Sequence, residues 1–161
     1  MEKVKKIFKE LIPYFVIIIA IVLIRTYIIT PVRVDGRSMN PTLENNEILI
    51  LKKFDKKYER FEIIVFKNNN DKLVKRIIGL PGETVEIKDN KLYINGEYVE
   101  ETFKHLDTPD YKLDGVIPED MYFVLGDNRT NSLDSRYIGL ISKDNIEGTI
   151  DLSIYPFKKL K

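Results

Sequence analysis

The chain has 161 residues, a formal net charge of +1 from 26 basic and 25 acidic residues, no cysteine and one histidine. This length suits one domain, and the evenly mixed charge excludes the broad basic surface that nucleic-acid binding requires. Without cysteine the chain has no disulfide, thiol nucleophile or thiolate ligand, and a lone histidine argues against a metal site. We expect no cofactor.

An apolar segment of membrane length lies near the N-terminus. Residues 11–29 are apolar with few interruptions, and a helix rising about 1.5 Å per residue over them roughly spans a hydrocarbon core of ~30 Å. Arg25 lies near the outer end, where its guanidinium can reach the interface. The sequence therefore predicts a single transmembrane anchor within residues 1–30.

Basic residues are more frequent before this segment than after it. Lysines occupy positions 3, 5, 6 and 9, whereas only Arg33 and Arg37 follow closely. The positive-inside rule then predicts a single-pass cell-membrane protein with a cytoplasmic N-terminus and an extracytoplasmic body, residues 31–161. A cleaved signal peptide would need a small-x-small site, which is absent after Ile24. A buried helix of a soluble protein is the other alternative, although the segment lacks the polar face that an ordinary surface helix has.

The body reads as short β-rich runs separated by turn residues. The predicted strands are residues 32–34, 48–51, 61–66, 73–78, 84–87, 91–94 and 121–125. Asn95-Gly96 is a strong hairpin signal, so residues 91–94 should pair with residues 98–99. Residues 100–118 look irregular, and no part of the body has a long 3.6-residue apolar period. We predict a mainly β fold: one N-terminal transmembrane helix followed by a compact all-β domain.

The first candidate for chemistry is Ser38, in the motif SMNPTL at residues 38–43. It lies between a β-like run and a proline-containing turn, where a nucleophile can be presented to a substrate. On local evidence alone, the plain role of a turn residue is the better interpretation. A serine nucleophile needs a base. His105 is the only histidine, and residue order does not exclude a triad, but a surface-loop histidine is the better interpretation.

A second candidate is Lys75, which begins the motif KRIIGLPGE at residues 75–83. Strand alternation places Lys75 and Arg76 on opposite faces, so one of the two cations must face an apolar side or a cleft unless both faces are wet. Burial disfavours the ammonium form and can turn a lysine into a general base, which an arginine cannot become. The alternative is an edge lysine that discourages sheet-to-sheet pairing.

The third motif, GDNRTNSLDSR at residues 126–136, follows an apolar run at residues 122–125. Its composition is typical of a solvated loop, although loops that leave core strands often carry function. Two carboxylates of this segment can pair with nearby arginines and hold the loop in shape. The residues concerned are Asp127 and Asp134, with Arg76, Arg129 or Arg136 as partners.

Together the three motifs resemble those of type I signal peptidases (bacterial leader peptidases), the membrane-bound Ser-Lys proteases that remove signal peptides from exported proteins. The resemblance runs from the anchor to about Phe157, and the single span with a short body is similar to the Gram-positive branch. It implies a serine endopeptidase of the signal peptidase fold that cleaves signal-peptide-bearing preproteins after small residues, at the lipid bilayer. A monomer is the default expectation.

The resemblance also implies roles for the motif residues. Ser38 would be the nucleophile, and Lys75 the neutral general base. Ser132 would be the serine whose hydroxyl orients the lysine. Two ion pairs would support the site, Arg76 with Asp127 and Asp134 with Arg136.

The resemblance extends to the oxyanion hole and the substrate cleft. The N–H of Ser38 would form part of the hole, and Gly36 stands where another branch has a hydroxyl residue that completes it, so the second donor is open. Val32, Val34 and Val74 would keep the lysine dry and line shallow pockets for small side chains at the first and third positions before the cleaved bond. The substrate would bind extended, against exposed strand edges.

Two other interpretations remain. One is a related Ser-Lys protease with another target: an SOS-repressor-type autoprotease, whose DNA-binding domain and cleavable linker are not visible here, or an organelle inner-membrane peptidase. The other is a tethered β domain that binds a partner without catalysis, which leaves a lysine in an apolar strand unexplained.

Overall fold

A computed structural model describes residues 2–54 and 57–160. Helix α1, Glu2–Tyr27, comes first. Its stretch Lys9–Tyr27 is long and apolar enough to cross a membrane, and none of that stretch is buried against the body. The predicted span is therefore present as a helix, and it is the one such helix in the described part of the chain.

The body that follows is built almost wholly from strands. Its elements are β1 Ile29–Arg33, β2 Ile48–Lys52, β3 Ile63–Asn68, β4 Asp71–Gly79, β5 Val85–Lys88, β6 Lys91–Ile94, β7 Glu97–Val99, β8 Tyr111–Lys112, β9 Met121–Leu125, α2 Ser135–Ile138, β10 Ile141–Ser142, a 3-10 turn Lys143–Asn145, β11 Ile146–Tyr155 and β12 Lys158–Lys159. The prediction of a mainly β fold behind one apolar helix is confirmed.

The strands form two antiparallel sheets. The large sheet has eight strands in the order β1-β2-β11-β3-β4-β9-β10, with β12 added beside β11. The small sheet has the order β7-β6-β5-β8. Its apolar face, which includes Val85 and Leu92, packs against Ile78 of β4 and Phe123 of β9. Strands β4 and β9 also pair with each other, with Arg76 opposite Leu125. Strand β4 contains the start of the KRIIGLPGE motif, and the GDNRTNSLDSR motif follows β9 directly.

The hairpin predicted from Asn95-Gly96 is confirmed. Strand β6 pairs with β7 in the register Ile94↔Glu97, so the loop between them has two residues. Asn95 has φ 52° and Gly96 has φ 82°. A two-residue turn of this kind needs positive φ at both positions, which asparagine and glycine tolerate best.

Strand β11, the longest in the body, was not among the predicted strands. It lies between β2 and β3, pairing Ile150 with both Leu51 and Ile63. Its register against β2 shifts between Ile150 and Ser153. As a result Ser153 is fully buried while Ile154 is 45% exposed. This bulge reverses which residues face the core, so simple alternation of apolar and polar residues does not describe the strand.

The end of α1 is tied to the start of the body. The Lys53 N–H donates to the Ile28 carbonyl at 2.9 Å, and Lys53 Nζ donates to the Thr26 carbonyl at 3.1 Å. The Thr30 hydroxyl donates to the Arg25 carbonyl at 2.8 Å. These bonds satisfy carbonyls that the last helical turn leaves unpaired. The β1–β2 pair therefore begins directly at the end of the apolar helix.

Candidate active site

Ser38 lies in the turn that follows β1, on a corner whose neighbours are anchored in the core. Met39 is 2% exposed and Leu43 is fully buried, and the Leu43 N–H donates to the Met39 carbonyl at 2.9 Å. Ser38 itself is half-buried. The buried apolar residues of SMNPTL thus hold the turn, while Ser38 stays partly accessible to solvent.

Lys75 reaches this hydroxyl from β4. Its side chain is 2% exposed, and its Nζ lies 2.8 Å from Ser38 Oγ and 2.9 Å from the Val74 carbonyl oxygen. Burial lowers the pKa of the Lys75 ammonium from 10.5 to about 8, against the opposing pull of the Asp134 and Asp127 carboxylates. The amine is therefore available as a proton acceptor near neutral pH, within hydrogen-bond reach of an alcohol.

Arg76, the next residue, forms a buried ion pair with Asp127. Register places it opposite Ile63, whereas Lys75 is opposite Ile64, so the two cations lie on opposite faces of the strand. Arg76 donates through Nε and Nη2 to the two carboxylate oxygens at 2.9 and 2.6 Å. Its guanidinium carbon lies 3.9 Å from the ring centroid of Phe103. Both cations are thus buried, and one of them is fully paired.

Asp134 and Arg136 form the second pair that the motif implies. Asp134 is fully buried and accepts from Arg136 Nε at 2.8 Å and from the Gly126 N–H at 3.1 Å. Arg136 Nη2 donates to the Arg129 carbonyl at 2.7 Å. The Ser135 hydroxyl accepts from the Val124 N–H at 2.9 Å. Hydrogen bonds within the loop, and from Val124 of β9 to Ser135, therefore hold the loop in place.

A third buried ion pair was not predicted. Arg129, 2% exposed, binds the carboxylate of Glu101 and donates to the Thr108 hydroxyl at 2.6 Å. His105 Nε2 lies 3.3 Å from the same Glu101, and its Nδ1 lies 2.9 Å from the Leu106 carbonyl oxygen. The histidine therefore hydrogen-bonds within this cluster and not with Ser38. Glu101 lies in an irregular segment, where no spacing pattern indicates its partner.

Ser132 lies beside the serine turn without a hydrogen bond. Its buried hydroxyl has no partner among the described residues, and Lys75 donates to Ser38 and Val74 instead. A Cβ at Gly126 would overlap both Ser132 Oγ and the Ser38 carbonyl oxygen. This close approach requires the glycine that opens the third motif, and no local sequence pattern indicates it.

The backbone at Ser38 offers one free donor. Within the described residues, its N–H has no hydrogen-bond acceptor. The Gly36 N–H, by contrast, donates to Asn45 Oδ1 at 2.9 Å. Gly36 has φ 104°, a left-handed conformation that favours glycine over a hydroxyl residue. The amide of Gly36 is therefore engaged in shaping the turn.

Two strand edges beside the dyad are unpaired in the described structure. Strand β1 pairs with β2 alone, and β4 pairs with β9 only from Arg76 onward, which leaves one edge of residues 71–75 free. Val32 and Val74 are half-buried against a core cluster that contains Val34 and Met39. An extended peptide can add to such edges with its side chains against this apolar surface.

Comparisons with known proteins point to one family. Residues 7–155 match the family described as signal peptidase, peptidase S26. Signal peptidase I of Bacillus amyloliquefaciens is 41% identical over 162 residues, which cover 90% of this chain and 88% of the relative. Signal peptidase I S of Bacillus subtilis (strain 168) is 42% identical over 163 residues, covering 90% and 89%. The crystal structure of a signal peptidase I from Enterococcus faecalis V583 is 43% identical, with a TM-score of 0.54, and matches 58% of this chain and 96% of that one.

Proposed function

The chain belongs to the signal peptidase family, peptidase S26, and is a serine endopeptidase that cleaves signal peptides; we propose that Ser38 is its nucleophile and Lys75 its general base. The observation that carries the assignment is the 2.8 Å contact between Lys75 Nζ and Ser38 Oγ. The lysine is almost wholly buried, and its pKa is lowered to about 8. A proton acceptor and an alcohol therefore lie in contact at a half-exposed corner of the fold.

The proposed reaction has two stages, each with one proton shuttled through Lys75. With the amine neutral, the Ser38 hydroxyl donates its hydrogen bond to Nζ. Oγ attacks the carbonyl carbon of the scissile bond as its proton passes to Nζ. The ammonium then protonates the leaving amine, the C–N bond breaks, and an acyl-serine remains. Water, deprotonated by the neutral amine, attacks the acyl-serine, and the ammonium returns that proton to Ser38 Oγ as the C–O bond of the ester breaks and the carboxylic acid product leaves.

The negative oxygen of each tetrahedral intermediate needs a donor close by. The Ser38 N–H is the group we assign to it, because no described residue accepts a hydrogen bond from that amide. A donor of this kind is worth about 3 kcal/mol of transition-state stabilisation. Gly36 supports the hole through the backbone conformation of the turn, with its own N–H held by Asn45.

Ser132 and the two ion pairs support the lysine. The buried hydroxyl of Ser132, which has no partner among the described residues, is free to accept a hydrogen bond from the amine once that amine is charged. The carboxylates of Asp134 and Asp127 raise the pKa of Lys75, against the larger effect of burial. Their pairing with Arg136 and Arg76 keeps them in place. The two carboxylates thereby favour the protonated form of Lys75 once it has taken the proton of Ser38.

The substrate in this proposal is a preprotein segment bound extended at the free edges of β1 and β4. Small side chains before the cleaved bond would rest on Val32, Val34 and Val74. The anchor, residues 1–30, would hold the body, residues 31–161, at the outer face of the lipid bilayer. Tethering raises the effective concentration of substrates whose own apolar segments lie in the same membrane. The enzyme would work as a monomer.

The first test is cleavage of a purified preprotein by variants of the two proposed catalytic residues. We expect Ser38→Ala and Lys75→Ala each to abolish cleavage, since one lacks the nucleophile and the other the base. Lys75→Arg should be inactive as well, because a guanidinium stays protonated. His105→Ala, the matched control for a histidine mechanism, should cleave like the wild type. Normal processing by the Ser38 or Lys75 variants would refute the assignment.

A further inference from the structure

Asn128 binds the backbone on both sides of Ser38. Its side-chain amide, Nδ2, donates to the Arg37 carbonyl at 3.1 Å. Its own N–H donates to the Ser38 carbonyl at 3.0 Å. Asn128 is 9% exposed, and its bond to the exposed residue Arg37 is partly buried. No other residue in the third motif makes two hydrogen bonds to the turn that carries the serine.

The orientation of the Asn128 side chain is fixed by its partners. Oδ1 accepts from the Asn131 N–H and from the Thr130 hydroxyl, both at 3.2 Å. The Arg37 carbonyl can only accept, so the amide nitrogen must face it. The neighbouring residues on each side are held too, Asp127 by Arg76 and Arg129 by Glu101. The side chain of Asn128 is therefore held at both its oxygen and its nitrogen, and its main chain is held through the two neighbouring residues.

The Arg37–Ser38 peptide group connects this bond to the oxyanion. A peptide unit is planar and trans, so the Arg37 C=O and the Ser38 N–H point in opposite directions. A donor that holds the carbonyl on one side consequently aims the N–H on the other. That N–H has no acceptor among the described residues. The Arg37 carbonyl also accepts from the Asn40 N–H at 3.2 Å, a bond within the turn itself, whereas Asn128 Nδ2 ties the same carbonyl to the loop after β9.

We propose that Asn128 is a positioning residue for the oxyanion hole: its amide holds the Arg37 carbonyl and so aims the Ser38 N–H at the charge that develops on the substrate. This rests on the proposed function, in which Ser38 is the nucleophile. Asn128 touches neither the substrate nor the reacting atoms. It acts through the Arg37–Ser38 peptide plane. We therefore expect Asn128 to stabilise the transition state and to have little effect on substrate binding.

The test compares Asn128→Ala and Asn128→Asp with Asn131→Ala in the full-length enzyme. Both substitutions at position 128 remove the Nδ2 donor while the main-chain bond to Ser38 can remain. Asn131 is the same residue type in the same loop, but its side chain is exposed and has no hydrogen-bond partner among residues 2–54 and 57–160. We expect Asn128→Ala to lower kcat about 10- to 100-fold, somewhat less than loss of the oxyanion donor itself. KM should change by less than about twofold, because ground-state contacts are untouched.

Two inhibitors separate positioning from damage to the site. A peptide aldehyde ending in alanine forms a tetrahedral adduct with the serine, so its affinity should fall by about the same factor as kcat. A preprotein with proline after the cleavage site, used as a competitive inhibitor once it is shown to resist cleavage, should keep its affinity unchanged. The midpoint of the pH profile of Asn128→Ala should also match that of the wild type, because Lys75 is not contacted. Asn131→Ala should resemble the wild type throughout.

Each outcome decides the proposal. Near-normal kcat in Asn128→Ala, or equal losses of affinity for the aldehyde and the proline-blocked preprotein, would overturn it. Failure of both Asn128 variants to fold, judged by thermal unfolding, would make the residue structural and overturn it as well. Ser38→Ala, measured in parallel, distinguishes failure of the proposed function from failure of the role proposed for Asn128. If Ser38→Ala still cleaves, the proposed function fails, whereas an inactive Ser38→Ala beside a fully active Asn128→Ala removes only the role of Asn128.

Discussion

Lys75 shows how one buried side chain gains the properties of a base. In water its ammonium would hold its proton until about pH 10.4. Burial lowers the pKa to about 8, even though two carboxylates act in the opposite direction. The cause is desolvation, which penalises the charged form more than the neutral one. The carboxylates are largely occupied by Arg76 and Arg136, which limits their hold on the lysine proton.

This pKa predicts the pH dependence of cleavage. In the proposed mechanism the neutral amine is the active form, and its fraction rises with pH until the pH passes about 8. Below that point kcat/KM should rise about tenfold per pH unit, and above about pH 9 it should level off. Cleavage of a purified preprotein between pH 5.5 and pH 9.5 measures it. A flat profile, or one still rising steeply at pH 9.5, would contradict the lowered pKa.

At the residue scale, motifs located part of the site and geometry was needed for the rest. Ser38 and Lys75 were singled out because a serine in a distinctive turn and a lysine within an apolar strand are both unusual. The roles assigned to them stay predictions. Gly126 and Glu101 carried no such signal, because their importance comes from close approach and from a partner 28 residues away. Contacts of this kind are set by tertiary packing, which local spacing does not encode.

Among the elements, β4 and the loop after β9 are joined chiefly through charge. The bidentate bond from Arg76 to Asp127 spans them, and the same guanidinium donates to the Phe61 carbonyl at 2.8 Å. Both side chains are at most 3% exposed. Loss of one partner would leave the other charge buried and unpaired, a state that costs more than the pair itself contributes.

We therefore expect Asp127→Ala to lower the free energy of unfolding by about 3–5 kcal/mol. Asp120→Asn is the control, because its carboxylate pairs with Lys143 at 3.3 Å but is 74% exposed, and asparagine suits the left-handed φ of 58° at this position. That surface pair should contribute at most about 1 kcal/mol. Thermal and urea unfolding of the detergent-solubilised enzyme measures both. Equal losses in the two variants would show that burial of the Arg76 pair has no special effect.

Strand prediction succeeded where alternation was regular and failed where it was not. The hairpin around Asn95-Gly96 was predictable because both residues suit positive φ. Strand β11 was missed because its bulge buries Ser153 and exposes Ile154. The two-residue strands β8, β10 and β12 are too short to show any period, and they exist because a longer neighbour offers an edge to pair with.

For the whole molecule, the proposed orientation can be tested because the chain has no cysteine of its own. Glu119 is exposed in the body, and Lys3 precedes the apolar span. A membrane-impermeant maleimide should label Glu119→Cys in intact cells and Lys3→Cys only after permeabilisation, because lysine-rich flanks stay in the cytoplasm. Labelling in the reverse pattern would contradict the orientation. Both single-cysteine variants should retain cleavage, which confirms that each is correctly inserted.

The position of β11 has a consequence for the biogenesis of the enzyme. This late strand lies between β2, which follows the serine turn, and β3, whose hairpin partner β4 carries the lysine. In the proposed orientation the body is threaded outward from its N-terminal side, so β11 emerges after both halves of the dyad. Before β11 inserts, no strand pairing in the described sheet connects the β1–β2 pair, beside Ser38, to the β3–β4 pair, which carries Lys75. If the proposed roles and orientation hold, a newly made molecule is expected to stay inactive until β11 has crossed the membrane and paired with β2 and β3.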